Sequence, residues 1–169
     1  GNEDGEHIYI KSDGSLDDGM EIVNHPMTLD YHKNYCWAEI MKKAVSLGYR
    51  SHQTSTCGLH IHVNRICFGE SREEQDEVIS RVLYFVEHHW NELLKFSRRS
   101  EYTINRWAAR YGYENSPKAI MDKAKKGNFG RYAAVNLCNY STIEFRLFRG
   151  TLKINTFIAT LQLVNEICN

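Results

Sequence analysis

The chain has 169 residues, enough for one domain to bury a core of its own. With 42% hydrophobic and 25% charged residues it is neither a disordered tail nor a fibre, and no apolar run approaches the roughly 20 residues of a membrane span. Lys+Arg and Asp+Glu balance at 21 each, so no global field favours nucleic acid or an anionic membrane, although a local basic groove is compatible with a balanced total.

A strand is predicted over His7–Lys11, followed by the turn-rich run Ser12-Asp13-Gly14-Ser15-Leu16-Asp17-Asp18-Gly19 and a second strand, Met20–Val23. From Leu29 to Leu47, Trp37, Ile40, Met41, Ala44 and Val45 recur at three- and four-residue spacing before Gly48, which predicts one amphipathic helix with a glycine stop. Cys57–Arg65 alternates cleanly: Cys57, Leu59, Ile61 and Val63 share one face, and Gly58, His60, His62 and Asn64 the other. Ser71 with Glu74 forms a capping box that opens a helix predicted to Phe96. The basic stretch 97–130 reads as irregular, with a short helix after Ser116-Pro117, and its charges as a solvated face. Strands over Tyr132–Cys138 and Thr142–Phe148 are joined by Asn139-Tyr140-Ser141, an antiparallel hairpin, and a last helix runs from about Asn155. The order predicts a single α+β domain over residues 1–169, a mainly antiparallel sheet with helices on one face. Five cysteines without C-x-x-C spacing read as reduced, buried thiols of a cytoplasmic protein.

Three groups carry chemistry. His60 and His62, two apart on a strand, point the same way and sit roughly 6–7 Å apart. Neutral imidazole suits a divalent ion or a phosphate. In Thr142–Thr151 the residues Ile143, Phe145 and Leu147 form a core face, so Glu144 and Arg146 share the other: a hard oxygen ligand beside a fixed phosphate fork. Arg149 breaks that parity, which predicts a bend near Arg149-Gly150. Glu21, with Val23 and opposite Met20 and Ile22, interrupts an apolar strand and calls for a partner or a metal. Asp13, Asp17 and Asp18 make an acidic turn. Arg131 precedes the strand that carries Asn136, and Arg98 to Lys126 interleave with Trp107, Tyr111 and Tyr113.

In this order, Ser12-Asp13-Gly14-Ser15, Met20–Pro26, Cys57–Val63, Ala134–Leu137 and Thr142–Thr151 resemble the amidoligase family, related to glutamine synthetase and γ-glutamylcysteine synthetase within the carboxylate–amine ligase superfamily. The resemblance covers nearly the whole chain. It implies a glutamine-synthetase-like sheet whose open face binds ATP and Mg²⁺ or Mn²⁺, and amide formation through an acyl phosphate from a small-molecule or peptide carboxylate and an amine. It implies Glu21, His60 and Glu144 as metal ligands, His62 near the ATP phosphates, Arg146 on the transferring phosphoryl group, and Arg149 on a phosphate or the substrate carboxylate. Arg131 and Asn136 are expected at the nucleotide, and Asp13 toward the substrate. Family members begin with a strand carrying a G-x-E-x-E-like pair. This chain starts at Gly1-Asn2-Glu3-Asp4, which predicts a truncated chain lacking that strand, with weak Mg²⁺–ATP binding and little ligase activity. The rival expectations are a metal-dependent H-x-H oxygenase or hydrolase, whose next carboxylate is Glu70, and a non-catalytic binding module on the same fold.

Overall fold

The computed structural model describes residues 5–14, 16, 19–127 and 129–169. The chain opens with β1 (Ile8–Ser12) and β2 (Met20–Asn24), an antiparallel ribbon that forms a sheet of its own. Gly1–Asp4, read as part of the segment that follows the family's first strand, and Ser15, Asp17 and Asp18 of the acidic turn lie outside the described residues. Along β2 the expected alternation holds: Met20 and Ile22 are exposed, whereas Glu21 and Val23 are half-buried. A two-stranded ribbon has no second layer, so what it rests on decides its covered side. It is anchored at its start, where His7 stacks on Tyr31 and Tyr35 and shares a 2.9 Å hydrogen bond with the Tyr31 hydroxyl.

The stretch predicted as one helix over 29–47 is two, α1 (Leu29–Asn34) and α2 (Trp37–Ser46). Tyr35 between them is extended, and the Asn34 side-chain amide donates to the Asp30 carbonyl at 2.8 Å, a local bond that competes with helix continuation. The break turns Trp37 inward. Its indole N–H donates to His32 Nδ1 (3.2 Å), and its ring joins Met41 and Phe157 in a small second core. Gly48, at φ +88°, ends α2 as predicted, with the Tyr49 N–H bonded to the Ala44 carbonyl.

The main sheet is antiparallel throughout, in the order β3 (Gly58–Asn64), β5 (Thr142–Arg149), β4 (Val135–Asn136). Only two residues of the strand expected over 132–138 are strand. Gly130–Tyr132 is a 3₁₀ turn, and Ala134 bonds through its N–H to the Ala109 carbonyl and through its own carbonyl to Arg146 N–H, both at 2.8 Å. The buried Arg65 pins the β4–β5 loop by donating to the carbonyls of Leu137 (2.9 Å) and Asn139 (3.4 Å).

Helix α3 (Arg72–His88) begins with the predicted capping box: the Ser71 hydroxyl accepts from Glu74 N–H and the Glu74 carboxylate from Ser71 N–H. It stops short of Phe96. His89 leaves helical geometry where Arg110 Nη2 competes for the Glu87 carbonyl (3.1 Å), and α4 (Trp90–Ser97) follows. The basic region holds an unexpected α5 (Glu101–Trp107), capped by Ser100, as well as the predicted α6 (Pro117–Lys126). Helix α7 (Ile154–Cys168) ends the fold.

One face of the main sheet (Ile61, Ile143, Phe145, Leu147, Phe148) packs against Ile79, Val82, Leu83 and Val86 of α3, Trp90 and Leu93 of α4, and Ile104, Ile120 and Val164 beyond. Each such side chain stabilises the fold by about 1.5–3 kcal/mol. The protein is thus a mixed α+β domain with small antiparallel sheets. The cysteines are free, but Cys36, Cys67 and Cys138 are exposed rather than buried, because they sit at a helix break, in a 3₁₀ turn and in a loop; Cys57 and Cys168 are half-buried.

Candidate functional site

Register puts His62 on β3 and Asn136 on β4 directly opposite Glu144 on the central strand β5. A carboxylate between an imidazole and an amide is the starting geometry. The pairing then shifts: Ile61 meets Phe145, but Leu59 meets Phe148, so β5 carries one extra residue opposite His60. This bulge makes Leu147 and Phe148 both core residues (1% and 0% exposed) and returns Arg149 to the polar side with Arg146. The parity break at Arg149 therefore originates upstream of Arg149-Gly150, where a bend was expected.

The Glu144 side chain is only 6% exposed. Arg146 Nη1 donates to its Oε1 at 2.6 Å, with His60 Nδ1 at 3.3 Å and His62 Nε2 at 3.7 Å from the same oxygen. Asn136 Nδ2 donates to Oε2 at 2.7 Å and Asn139 Nδ2 at 3.4 Å. Burial alone would raise the pKa of this carboxyl; the Asn136 hydrogen bond and the Arg146 guanidinium, with smaller contributions from the two neighbouring imidazoles, outweigh it and hold the group below the usual range. Asn136 is 2% exposed, and its Oδ1 accepts from Cys138 N–H (2.8 Å). Its Nδ2 and Oδ1 each hold a partner, so it serves to position Glu144.

His60 is held neutral: burial first, then the neighbouring Arg146, push its pKa down to about 4, against an opposing pull from Glu144. Its Nδ1 lies 3.5 Å from Arg146 Nη1. The ring leans over Gly58, where an added β-carbon would come within 2.8 Å of His60 Nε2 and 2.7 Å of Arg99 Nη2. Glycine here permits the close approach of those two side-chain ends, and a side chain would have to displace them. His62 is half exposed and bonds through Nδ1 to the Thr142 hydroxyl (3.0 Å). Arg131 is exposed, donates to the Tyr132 hydroxyl (2.9 Å), and has its pKa raised by that bond and, more weakly, by Asp13 and Glu144. Asp13 is thereby on the Arg131 side of the site. Arg146 also stacks toward the Tyr132 ring, 5.8 Å away.

Glu21 stands apart. It lies on the ribbon, which is not hydrogen-bonded to the main sheet, and its partner is Lys11 at 3.0 Å. Among the described residues no group of three His, Cys, Asp or Glu side chains is arranged to hold a metal ion. Glu144, the one carboxylate beside the histidines, already has both oxygens hydrogen-bonded. A hard cation such as Mg²⁺ wants about six oxygen ligands, so this donor set does not fit a resident ion.

Arg98 and Arg99, read from the sequence as part of a solvated basic stretch, belong to the same neighbourhood. Arg98 ends α4 at φ 62°, and the turn delivers both side chains to the end of β5. Arg98 Nη2 donates to the Arg149 carbonyl and Arg99 Nη2 to that of Phe148, both at 3.3 Å, while Arg149 Nη1 donates back to the Arg98 carbonyl (3.4 Å). A cavity of about 260 Å³ opens here, lined by Thr54, Ser55, Cys57, Arg99, Thr103 and Arg149 among others. A larger cleft, about 570 Å³, lies between α2 and the start of α7, but its walls are mainly apolar and it carries no acid, histidine or cysteine. The smaller cavity is the one next to the chemistry.

Compared with family models, curated proteins and solved structures, the chain matches none. The site therefore stands on its own geometry: an ionised buried carboxylate, a neutral imidazole and several arginines.

Proposed function

We propose that this protein is an ATP-dependent carboxylate–amine ligase, cytoplasmic, with a glutamine-synthetase-like catalytic domain of the amidoligase kind. The observation that supports it most is the gathering of His60, His62, Glu144 and Arg146 on one side of an antiparallel sheet, with Arg99 and Arg149 beside them. Phosphoryl transfer asks for fixed cations around the moving phosphate more than for covalent help. In this reading a substrate carboxylate attacks the terminal phosphorus of ATP, and ADP leaves with the electron pair of the broken P–O bond. An amine then attacks the acyl phosphate, phosphate leaves, and the amine releases a proton to give the amide. Arg146 and Arg149 neutralise the phosphoryl oxygens, and Glu144 holds Arg146 in place. His60, with a pKa near 4, offers uncharged hydrogen bonding and is too weak a base to take the amine proton at neutral pH. Magnesium enters as part of the MgATP substrate, carried mainly by phosphates and water.

The test is ATP turnover by the full-length protein against a panel of carboxylates and amines, scored for ADP, phosphate and amide together. All three products in equal amounts support the reading; no amide with any pair rejects it. The engagement of Glu144 Oε1 by Arg146 favours a second reading, a binding module on the ligase fold without turnover. Saturable MgATP binding with no product across the panel would establish that one. The H-x-H oxygenase or hydrolase reading requires tightly bound iron or zinc, which metal analysis of the purified protein decides.

A further inference from the structure

Four arginines meet at one end of the main sheet. Arg98, Arg99 and Arg149 interlock through backbone carbonyls, and Arg146 lies within the field of Arg99. Among the described residues only Arg146 has a carboxylate partner, Glu144. Like charges crowd the others: burial and then the repulsion of Arg146 and Arg149 depress the pKa of Arg99, and burial and Arg149 depress that of Arg98. The Nε atoms of Arg98, Arg99 and Arg146 are buried without a hydrogen-bond partner. Arg98 is also the only described non-glycine residue with positive φ, a conformation unfavourable for a residue with a side chain. Half-buried cations without counter-charge among the described residues, orphaned donors and a strained turn are all unfavourable in the isolated chain. Two of the four arginines, Arg99 and Arg149, line one cavity, which is roughly the size for a terminal group and small for a whole nucleotide.

We propose that this cavity, between the 51–57 loop, the start of α5 and the Arg149 end of β5, is an oxyanion subsite that takes a phosphate or carboxylate group of a small ligand on Arg99 and Arg149. Arg98 acts as a positioning residue: its carbonyl accepts from Arg149 Nη1, and its own guanidinium holds the Arg149 backbone. Gly58 leaves room for the Arg99 guanidinium, since a β-carbon there would come within 2.7 Å of Arg99 Nη2. For Arg149 the inference deepens the phosphoryl role in the proposed function; the contribution of Arg99 and the cavity rests on geometry alone, and the test needs neither ATP nor a metal.

Cys57 supplies the readout. It is half-buried on the cavity wall, whereas Cys36 and Cys138 are exposed and outside it. The protein is alkylated briefly with iodoacetamide in inorganic phosphate, in succinate, or in sodium chloride of equal ionic strength, and each cysteine is followed by peptide mass spectrometry. The labelling rate of Cys57 should fall by the factor 1 + [L]/Kd, roughly tenfold at ten times Kd, while Cys36 and Cys138 label as before. Protection by phosphate alone assigns a phosphoryl group, by succinate alone a carboxylate, and by both a seat shared by either. Arg99→Gln should abolish the protection, Arg99→Lys should retain part of it, and Arg99→Gln should not lower the urea midpoint of the anion-free protein, because it relieves repulsion. No protection by either anion, equal slowing at all three cysteines or in sodium chloride, or undiminished protection in Arg99→Gln would overturn the proposal. If Arg99→Gln fails to fold, its role in relieving repulsion is refuted, and the wild-type protection still decides the subsite.

Discussion

Replacing Glu144 with glutamine is the usual conservative change, and here it should behave as a disruptive one. Arg146 Nη1 donates to Oε1 at 2.6 Å and Asn136 Nδ2 donates to Oε2 at 2.7 Å. A glutamine has one oxygen and one NH₂, so either orientation sets its NH₂ against a donor. Turning Asn136 over offers no escape, because its Oδ1 already accepts from Cys138 N–H at 2.8 Å and a flipped amide would point N–H at N–H. The substitution also leaves the Arg146 guanidinium, 14% exposed, without its carboxylate. Removing one partner of a buried pair costs about 3–5 kcal/mol, and Glu144→Gln should fall in that range, close to Glu144→Ala. Urea unfolding at pH 7 of the wild type, Glu144→Gln, Arg146→Met and the double variant measures both the loss and the coupling. The double variant should recover a substantial part, because it buries no unpaired charge. If Glu144→Gln lies within about 1 kcal/mol of wild type, or the two losses simply add, then Glu144 is not the hub of this network.

His60 links the site to acid stability. Its folded pKa, about 4, lies below the ordinary 6.5, so the unfolded chain binds the proton first as pH falls. Stability is full above pH 6.5 and declines toward pH 4 by about 2 kcal/mol, allowing for a side chain 30% exposed; His60→Gln should flatten that stretch of a urea-midpoint profile. Glu144 has a depressed pKa, so the stability it contributes is present above its ordinary unfolded value and is lost as pH falls through its folded pKa. Gly58→Ala should cost about 1–3 kcal/mol by wedging His60 from Arg99, and it should weaken Cys57 protection, both read on one protein preparation. Remote from the site, Glu87 (1% exposed side chain) accepts from Arg110 Nε and Tyr111 N–H, both at 2.7 Å; Glu87→Ala should lower stability by about 3–5 kcal/mol in urea.

The sequence made visible what depends on a period of two or 3.6 residues. The shared face of His60 with His62, that of Glu144 with Arg146, and the capping box at Ser71 are local facts, legible without knowing any partner. Sheet membership is not local. Glu21 has the parity of a site residue, yet its strand pairs only with β1, and Lys11 takes its charge. The breaks at Tyr35–Cys36 and His89 were hidden because the apolar stripe continues on both sides of each. Arg98 and Arg99 were the largest omission. A basic pair after an amphipathic helix reads as solvated, and its burial follows from a left-handed turn at Arg98 that no glycine announces.

The bulge opposite His60 ties these strands of reasoning together. Without it, strict alternation along β5 would send Arg149 to the core side and Phe148 to the polar side. One extra residue lets Leu147 and Phe148 both pack inward, and Arg149 emerges beside Arg99. The same register shift leaves a single residue, His60, facing the bulge, and burial together with Arg146 keeps its ring uncharged. One irregularity in pairing thus sets the sign of the whole end of the sheet. Glu144 neutralises Arg146 alone, and the remaining arginines hold positive potential at the cavity mouth. A site so charged is built to receive negative charge, which is why anion occupancy, rather than metal occupancy, is the sharper first question to put to this protein.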